Sequence, residues 1–198
     1  NRGMQKMAED DKKPAVERIY APQDSSASGK NAEGNASGLA EKGAIVSTRE
    51  KKNVSSIIEN FTVKRKTLGV YLTTMQPHGK VISWLEKEKI SEESLFFLDM
   101  TGAGQDGREN LFALRDPSDF TELSVVITEI MENEGINFMV LDNVAGLETY
   151  AGMETVKKFL YALIAYFKKL NKTLVIVYGT GENKALEDFS VQVSDIRM

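Results

Sequence analysis

From Gly43 onward, short and almost continuously apolar runs alternate with stretches of helical periodicity. The runs are AIVS (44–47), LGVYL (68–72), LFFLD (95–99), LFAL (111–114), FMVLD (138–142) and TLVIVYG (173–179). Runs of this length are typical of strands buried on both faces of a parallel sheet. Helices between such strands supply the right-handed crossovers that parallel pairing requires. The pattern predicts a three-layer α/β domain over residues 43–198, with a mainly parallel sheet and helices on both faces.

Four segments between these runs have apolar residues at the spacing of one helix face. They are 54–61, 81–85, 120–131 and 156–167. The third segment follows Asp116-Pro117-Ser118, which is a good start signal, so Ser118 or Asp119 is expected to cap that helix.

Residues 1–42 differ in composition from the rest of the chain. The stretch APQDSSASGKNAEGNASGLAEKG is small and polar, with too few large apolar side chains to offset the entropy lost on ordering. We therefore predict a disordered or weakly ordered tail, in which only RIYAP (18–22) has residues suited to docking. Because the chain begins with Asn rather than Met, we expect a fragment or a processed product.

Charge and composition exclude several function classes. A net charge of −4 and a pI near 5.3 argue against a mainly electrostatic nucleic-acid binder. There is no cysteine and only one histidine, His78, so we expect no thiolate or multi-histidine metal site. No apolar run is long enough to cross a bilayer, and the lack of cysteine suits a reducing cytoplasm. His78, in QPHGK, is expected in a surface turn.

Polar and small residues follow the predicted strands at their carboxyl ends, where open parallel sheets bind ligands. This candidate crevice comprises Ser47, Thr48, Thr73, Thr74, Asp99, Asp142, Asn143, Gly179 and Thr180. It supports the hypothesis of a small-ligand sensor. Asp99 and Asp142 are also candidates for a general acid and base, although the sequence does not fix their separation.

Two motifs suggest nucleotide binding, one by its glycines and the other by its lysines. GAGQDG (102–107) has the spacing of a dinucleotide fingerprint, but that motif must open a helix, whereas RENLFALRDP predicts a turn and a short strand. We therefore interpret the motif as a loop between two strands.

The stretch STREKKNVSS (47–56) stands where a phosphate loop would, yet it contains no glycine to form an anion nest. An atypical phosphate site built from Lys51, Lys52, Ser55 and Asp142 stays as an alternative.

Two longer blocks carry a family resemblance. GVYLTTMQPHGKVISWLEKEKISEESLFFLD (69–99) and LRDPSDFTELSVVITEIMENEGINFMVLDNVAGLETYAGMETVKKFLYALIAYFKKLNKTLVIV (114–177) resemble the KaiC-like branch of the RecA-type ATPases, and more narrowly its archaeal proteins without a phosphate loop. The resemblance covers roughly 43–198. It implies a RecA-like P-loop-NTPase-type fold, in an archaeal and cytoplasmic setting, with Asp142 in the position of the magnesium-holding Walker-B aspartate.

The departures from active members of that family predict a non-catalytic protein. Active members have a glycine-rich loop after the first strand and a pair of glutamates after the second, where this chain has Thr73, Thr74 and Met75. Losing one transition-state donor costs about 10²–10³ in rate. We therefore expect no enzyme activity, no metal site, and neither ATP nor magnesium as a cofactor, with Asp142 in a structural role.

The expected function is a degenerate ATPase domain used in protein interaction or regulation, through a protein partner or self-association. No membrane or nucleic-acid partner is expected. The candidate surfaces are the loop after Asp142, with Leu147 and Tyr150, and the helix bearing Tyr161 and Tyr166, because tyrosine is favoured at interfaces. An equal alternative is that these tyrosines complete the core instead. The two other hypotheses are the atypical nucleotide site and the small-ligand sensor.

Overall fold

A computed structural model describes residues 43–102, 109–179 and 184–198 of the chain. The tail predicted for residues 1–42 lies outside this part. Within the described part, seven strands form one sheet. They are β1 (Ile45–Thr48), β2 (Leu68–Thr73), β3 (Leu95–Asp99), β4 (Leu111–Ala113), β5 (Ile136–Asp142), β6 (Thr173–Val177) and β7 (Ile196–Arg197).

The sheet has the order β4-β3-β2-β5-β6-β1-β7, and all of its pairs are parallel. All six predicted strands are present, and the predicted parallel α/β architecture is confirmed. β1 and β2 are adjacent along the chain, yet β5 and β6 separate them in the sheet. This reversal places the carboxyl ends of β1, β6, β5 and β2 around one crevice, as open parallel sheets do at a switch point.

Five α-helices accompany the strands in the described part of the chain. They are α1 (Lys51–Glu59), α2 (His78–Lys87), α3 (Phe120–Met131), α4 (Met153–Leu170) and α5 (Lys184–Val193). A π-helical turn at Asn60–Lys64 extends α1, and 3-10 turns occupy Glu92–Ser94 and Val144–Thr149. α5 and β7 were not predicted. No helix in the described ranges is long and apolar enough to span a bilayer.

The ends of α3 and α4 follow from local chemistry. Asp119 caps α3, because its carboxylate accepts hydrogen bonds from the backbone N–H groups of Thr121 at 2.8 Å and Glu122 at 3.0 Å. α4 ends at Asn171, whose φ of 53° is left-handed and stops the helix. The first of the two caps expected from the sequence, Ser118, instead hydrogen-bonds to Asp116.

The sheet separates two apolar layers. On one face, the inward residues of α1 and α2 pack against strand residues such as Tyr71, Phe97 and Phe138 in one buried cluster. The alternate strand residues point to the other face, where α3 and α4 bury their own apolar stripes. Burial of the strands on both sides explains their near-continuous apolar composition.

The glycine motif at 102–107 joins two parallel strands. Residues 103–108 lie outside the described part, but Glu109 and Asn110 form a turn and Leu111–Ala113 form β4 beside β3. The described residues that follow the motif, 109–113, thus form a turn and a strand, whereas a dinucleotide fingerprint opens a helix.

Gly69 allows the close approach of β2 to a ring from β5. A Cβ atom at this position would lie 2.1–2.5 Å from three ring carbons of Phe138. Phe138 in turn contacts Phe61 at a ring-centroid distance of 4.9 Å, so the ring is held from both sides. The pairing of β2 with β5 also shifts register between Leu68 and Gly69.

We predict that Gly69→Ala lowers the free energy of unfolding by about 1–3 kcal/mol, since overpacked cores relax only in part. Gly79→Ala is the matched control. Gly79 lies in α2, and a Cβ atom at this position would meet nothing within 4 Å. That control should leave stability unchanged or raise it by up to about 1 kcal/mol. Urea unfolding followed by circular dichroism measures both. Equal stabilities of the two variants would contradict the role given to Phe138.

Candidate functional site

A cleft of about 430 Å³ lies at the carboxyl ends of β1, β2, β5 and β6. It is lined by Arg49, Lys51, Thr73, Met75, Gln76, Asp142, Asn143, Val177, Tyr178 and Gly179. The lining therefore includes four of the crevice residues predicted from strand ends, together with Lys51 from the predicted phosphate site.

Two of the lining residues, Lys51 and Asp142, form a polar cluster with the buried Tyr71. Lys51 is the first residue of α1, and its ammonium group donates hydrogen bonds to the Asp142 carboxylate and, at 2.8 Å, to the Tyr71 hydroxyl. The Tyr71 hydroxyl donates to the same Asp142 oxygen at 2.6 Å. One carboxylate oxygen thus receives both donors, and α1, β2 and β5 are joined at one point.

The surroundings of this cluster favour its ion pair. Asp142 is 5% exposed and Tyr71 is fully buried, while the Lys51 ammonium lies 4.9 Å from the ring centroid of Trp84 and 5.5 Å from that of Tyr71. Aromatic faces attract a cation at such distances. Burial raises the pKa of the Tyr71 hydroxyl well above its ordinary value, and the adjacent Asp142 charge raises it further.

The connection between β1 and α1 is only two residues long. β1 ends at Thr48 and α1 begins at Lys51, so Arg49 and Glu50 make the whole turn. The Thr48 hydroxyl accepts hydrogen bonds from the Glu50 backbone N–H at 3.1 Å and from the Asn53 amide at 3.0 Å. This compact turn carries Lys51 directly over the end of β5.

Arg49 is held on the opposite rim of the cleft. Its guanidinium forms an ion pair with Glu187 of α5 and lies 5.3 Å from the ring centroid of Tyr178. Each of the two cations in the cleft lining is therefore paired with a carboxylate from its own chain. The four charges of the Lys51–Asp142 and Arg49–Glu187 pairs sum to zero.

The loop after β2 is fastened to the loop after β5. The Thr74 hydroxyl donates to the backbone oxygens of Asp142 at 3.1 Å and Asn143 at 2.7 Å, and Tyr150 donates to the backbone oxygen of Thr74 at 3.1 Å. A Cβ on Gly146 would lie 2.1 Å from the Thr74 hydroxyl oxygen, so glycine permits this contact. Thr74 therefore faces the neighbouring loop.

Asp99 binds the backbone at the start of α2. Its carboxylate accepts the backbone N–H of His78 at 2.9 Å, and Thr101 donates to it from both its N–H and its hydroxyl, at 2.7 Å and 2.6 Å. Asp99 and Asp142 both pair in register with Thr73. Two strand spacings, roughly 9–10 Å, thus separate the two backbones, and the two carboxylates bind different partners.

The prediction that His78 lies in a surface turn is wrong. His78 is 7% exposed and is the first residue of α2, which begins directly after Pro77. Its Nδ1 lies 3.4 Å from the Asp99 carboxylate. The short polar string QPHGK has the composition of a turn, whereas Asp99 arrives from 21 residues further along the chain.

Several predicted site residues lie away from the cleft. Ser47 and Thr48 are fully buried, Lys52 is exposed, and the Ser55 hydroxyl donates to the backbone oxygen of Lys52. Thr180 is outside the described residues. Sequence reasoning missed Tyr71, Arg49, Gln76 and Tyr178; Tyr71 was detectable, because it lies two residues before Thr73 and so on the same face of β2.

The predicted interaction residues differ in how deeply they are buried. Leu147 is fully buried, so its proposed place on a surface is wrong; the 3-10 turn that carries it folds back onto the domain. Tyr166 is partly buried and donates to Thr128 of α3 at 3.4 Å. Tyr161 remains 57% exposed, although its ring packs edge-on against Phe189 of α5.

Across residues 43–102, 109–179 and 184–198, no group of three or more acidic or histidine side chains has a geometry suited to a metal ion. Among the residues that line the cleft, Asp142 is the one carboxylate.

Comparison with known proteins gives the following likenesses. A family model described as "ATPase: KaiC" matches residues 35–194. No curated protein matches the sequence. The solved structure of the KaiC-like protein PH0186 from the hyperthermophilic archaeon Pyrococcus horikoshii is similar with a TM-score of 0.58 at 12% identity, covering 75% of this chain and 70% of that one.

A second similar structure is that of the uncharacterized protein PH0321 from Pyrococcus horikoshii, solved in complex with an unknown peptide. Its TM-score is 0.60 at 13% identity, covering 80% of this chain and 78% of that one. At such identities the likeness shows the fold alone, and that fold is RecA-like, as expected from the sequence.

The Tyr71 hydroxyl gives the site a testable pH dependence. Tyr71→Phe should lower the free energy of unfolding at neutral pH by about 1.5–3 kcal/mol, the range for hydrogen bonds to charged groups. A hydroxyl whose pKa is raised by folding holds its proton while the unfolded chain loses it. Stability should therefore fall above about pH 10, by up to about 1.4 kcal/mol per pH unit from this group.

Tyr71→Phe should make that alkaline loss shallower by the same amount. Urea unfolding at intervals from neutral pH to about pH 11 measures both effects in one series. Identical alkaline slopes for the two proteins would show that Tyr71 does not hold its proton in the fold.

Proposed function

This chain belongs to the KaiC-type ATPase family, and from that premise we propose that it is a non-catalytic member acting in protein interaction or regulation. The observation that carries the proposal is the pairing of Lys51 with Asp142. In P-loop ATPases the strand-end aspartate holds the magnesium ion. Here an ammonium group of the same chain is bound to that carboxylate, so its charge is already balanced.

The turn between β1 and α1 also does not fit a nucleotide phosphate. A phosphate loop places four residues between two glycines before its lysine, and the backbone N–H groups of that loop surround the phosphates. The turn in this chain has two residues, Arg49 and Glu50. There is too little backbone to enclose a phosphate, whichever side chains are present.

The loop that carries the catalytic glutamates in active members of the family supports the same conclusion. Residues 73–75 follow β2, and the Thr73 and Thr74 hydroxyls donate to backbone oxygens of Gln76, Asp142 and Asn143. No carboxylate from this loop lines the cleft. A water molecule in the cleft would have no general base there to accept its proton.

Electrostatics further disfavour a nucleoside triphosphate. Arg49 is paired with Glu187 and Lys51 with Asp142, so these four residues contribute no net positive charge. A triphosphate would have to break at least one internal pair to gain a cation. Breaking a pair leaves its carboxylate, 5% exposed in Asp142, without its charged partner.

We propose a polypeptide as the partner class. The similar structure of PH0321 contains an unknown peptide, which makes a peptide a natural ligand to test for this fold. A cytoplasmic setting completes the proposal, in line with the absence of cysteine.

A small-ligand sensor is the second candidate, favoured by the cleft itself. Its volume of about 430 Å³ suits a metabolite. Thr73, Gln76 and Asn143 line it, so it offers neutral hydrogen-bonding groups beside two balanced ion pairs. These groups would suit an uncharged polar ligand. The nucleotide alternative would instead require Lys51 to leave Asp142.

The decisive experiment is a thermal-shift titration with Mg-ATP, using magnesium alone as the blank. A ligand at 100 times its dissociation constant stabilises a fold by about 2.7 kcal/mol, so binding is readily seen. We expect no shift at millimolar Mg-ATP. A shift that disappears in Lys51→Ala but persists in Lys52→Ala would overturn the proposal, because exposed Lys52 is the adjacent residue of equal charge.

Hydrolysis provides a second readout. Asp142→Asn should reduce thermal stability while any trace phosphate release stays unchanged, because we assign the carboxylate a structural role. Loss of measurable ATP hydrolysis in this variant alone would establish catalysis. A shift by an uncharged metabolite that is abolished in Asn143→Ala would instead favour the sensor.

A further inference from the structure

The groups around the Lys51 ammonium have the chemistry of a receptor for a cation. Two oxygens accept hydrogen bonds from it, one on the Asp142 carboxylate and one on the Tyr71 hydroxyl at 2.8 Å. Two aromatic faces lie beside it, with ring centroids 4.9 Å away for Trp84 and 5.5 Å away for Tyr71. Aromatic faces combined in this way recognise ammonium ligands in proteins. We name Asp142, Tyr71 and Trp84 the ammonium site.

The ammonium site suits a compact cation. Lys51 and the Tyr71 hydroxyl both donate to the same carboxylate oxygen, Oδ2 of Asp142. A guanidinium group binds a carboxylate best through two parallel hydrogen bonds to both of its oxygens, whereas an ammonium group binds as a point charge. The site should therefore prefer the side chain of lysine to that of arginine.

The ammonium site opens to the cleft. Lys51 and Asp142 both line the cleft, and the Lys51 side chain is 38% exposed, whereas that of Asp142 is 6% exposed. Lys51 thus reaches the carboxylate from the solvent side, on a flexible four-carbon stem. Withdrawal of Lys51 returns its ammonium group to water and leaves the buried carboxylate in place.

Incoming anions and incoming cations have opposite consequences at this site. An anion that draws Lys51 away leaves the buried Asp142 carboxylate unpaired, which is strongly unfavourable. A cation that replaces Lys51 pairs with Asp142 itself, so the carboxylate keeps a partner while the displaced lysine is hydrated. The site therefore permits the exchange of one ammonium group for another.

The rest of the cleft suits the backbone of a polypeptide. Gln76 and Asn143 line it, and a side-chain amide has both donors and acceptors for peptide groups. The volume of about 430 Å³ is in the range of small-ligand sites, so the cleft accommodates a lysine residue together with its flanking peptide groups.

We propose that the ammonium site binds a lysine side chain of the partner polypeptide, which replaces Lys51 on Asp142. This inference rests on the polypeptide partner proposed above and names the residue that the cleft recognises. Replacement releases Lys51 from Asp142 and Tyr71, so α1 loses these bonds to β2 and β5 and responds to the partner. Acetylation of the partner lysine removes its charge and prevents binding.

Fluorescence of the full chain tests the exchange, because Trp84 is the single tryptophan of the sequence and lies at the site. The probe is the blocked peptide acetyl-Gly-Lys-Gly-amide, for which we expect a saturable change with a roughly millimolar Kd. Peptides with Nε-acetyllysine or arginine in place of lysine should bind at least about tenfold more weakly, as expected for the loss of a hydrogen bond between charged groups.

A free amine separates the two sources of an ammonium group. n-Butylammonium carries the lysine side chain without a backbone, so it should bind several-fold more weakly than the peptide if the amides of Gln76 and Asn143 hold peptide groups. Equal affinities of n-butylammonium and the lysine peptide would overturn the assignment of the site to a polypeptide.

Removal of the resident lysine should strengthen binding. In Lys51→Ala no side chain has to be displaced, so the lysine peptide and n-butylammonium should each bind about tenfold more tightly. Lys52→Ala is the matched control, because it removes the same charge from the adjacent exposed residue and should change the affinity by less than about twofold. The double variant K51A/D142N has neither charge and should bind no probe; circular dichroism checks its fold.

The titration of the unaltered chain decides the inference even if Lys51→Ala fails to fold. Absence of a fluorescence change with the lysine peptide would overturn it, as would equal affinities for the lysine, acetyllysine and arginine peptides. A folded Lys51→Ala that binds no more tightly than Lys52→Ala would do the same. These measurements contain no nucleotide, so their failure leaves the result with Mg-ATP, and with it the non-catalytic proposal, unaffected.

Discussion

The Asp142 carboxylate is the point at which the parts of this domain are joined. Its side chain receives Lys51 from α1 and the hydroxyl of Tyr71 from β2, while its backbone oxygen accepts a hydrogen bond from Thr74. A strand-end carboxylate buried to this degree needs partners, because an unpaired charge in a low dielectric is very unfavourable. A bound cation meets that need in an ATPase. In this chain a lysine meets it, and the lysine reaches the carboxylate because the turn before α1 has only two residues.

Most of the fold was predictable because its signals are local and strong. Six strands are near-continuous apolar runs, and α3 carries a helical stripe and a cap within a dozen residues. α5 and β7 were missed for the opposite reason. α5 buries few apolar residues, chiefly Leu186 and Phe189, and β7 is two residues long and is held at the sheet edge by pairing with β1. β7 depends on β1 from the start of the domain, and α5 is held both by Arg49 and by the nearer Tyr161.

The position of the cleft was predictable from the sequence, whereas the contacts among its polar side chains were predictable only in part. The carboxyl ends of the strands correctly indicated Thr73, Asp142 and Asn143 as neighbours. The sequence also singled out Lys51, yet it gave no sign that Lys51 would bind Asp142, since that contact joins residues 91 positions apart. His78 shows the same limit. Its neighbours in the sequence resemble a turn, whereas in the fold its backbone N–H binds the distant Asp99 at the start of α2.

The cleft and the helices α3 and α4 occupy separate parts of one scaffold. The cleft is built from the ends of β1, β2, β5 and β6, and its chemistry depends on Lys51 and Asp142. α3 and α4 cover one side of the sheet, and none of their residues lines the cleft. The chemistry at the strand ends therefore places no constraint on the outward side of these two helices. The Lys51–Asp142 ion pair joins α1 to the end of β5, and so it connects a helix on one side of the sheet to the strand that lies at the centre of the sheet.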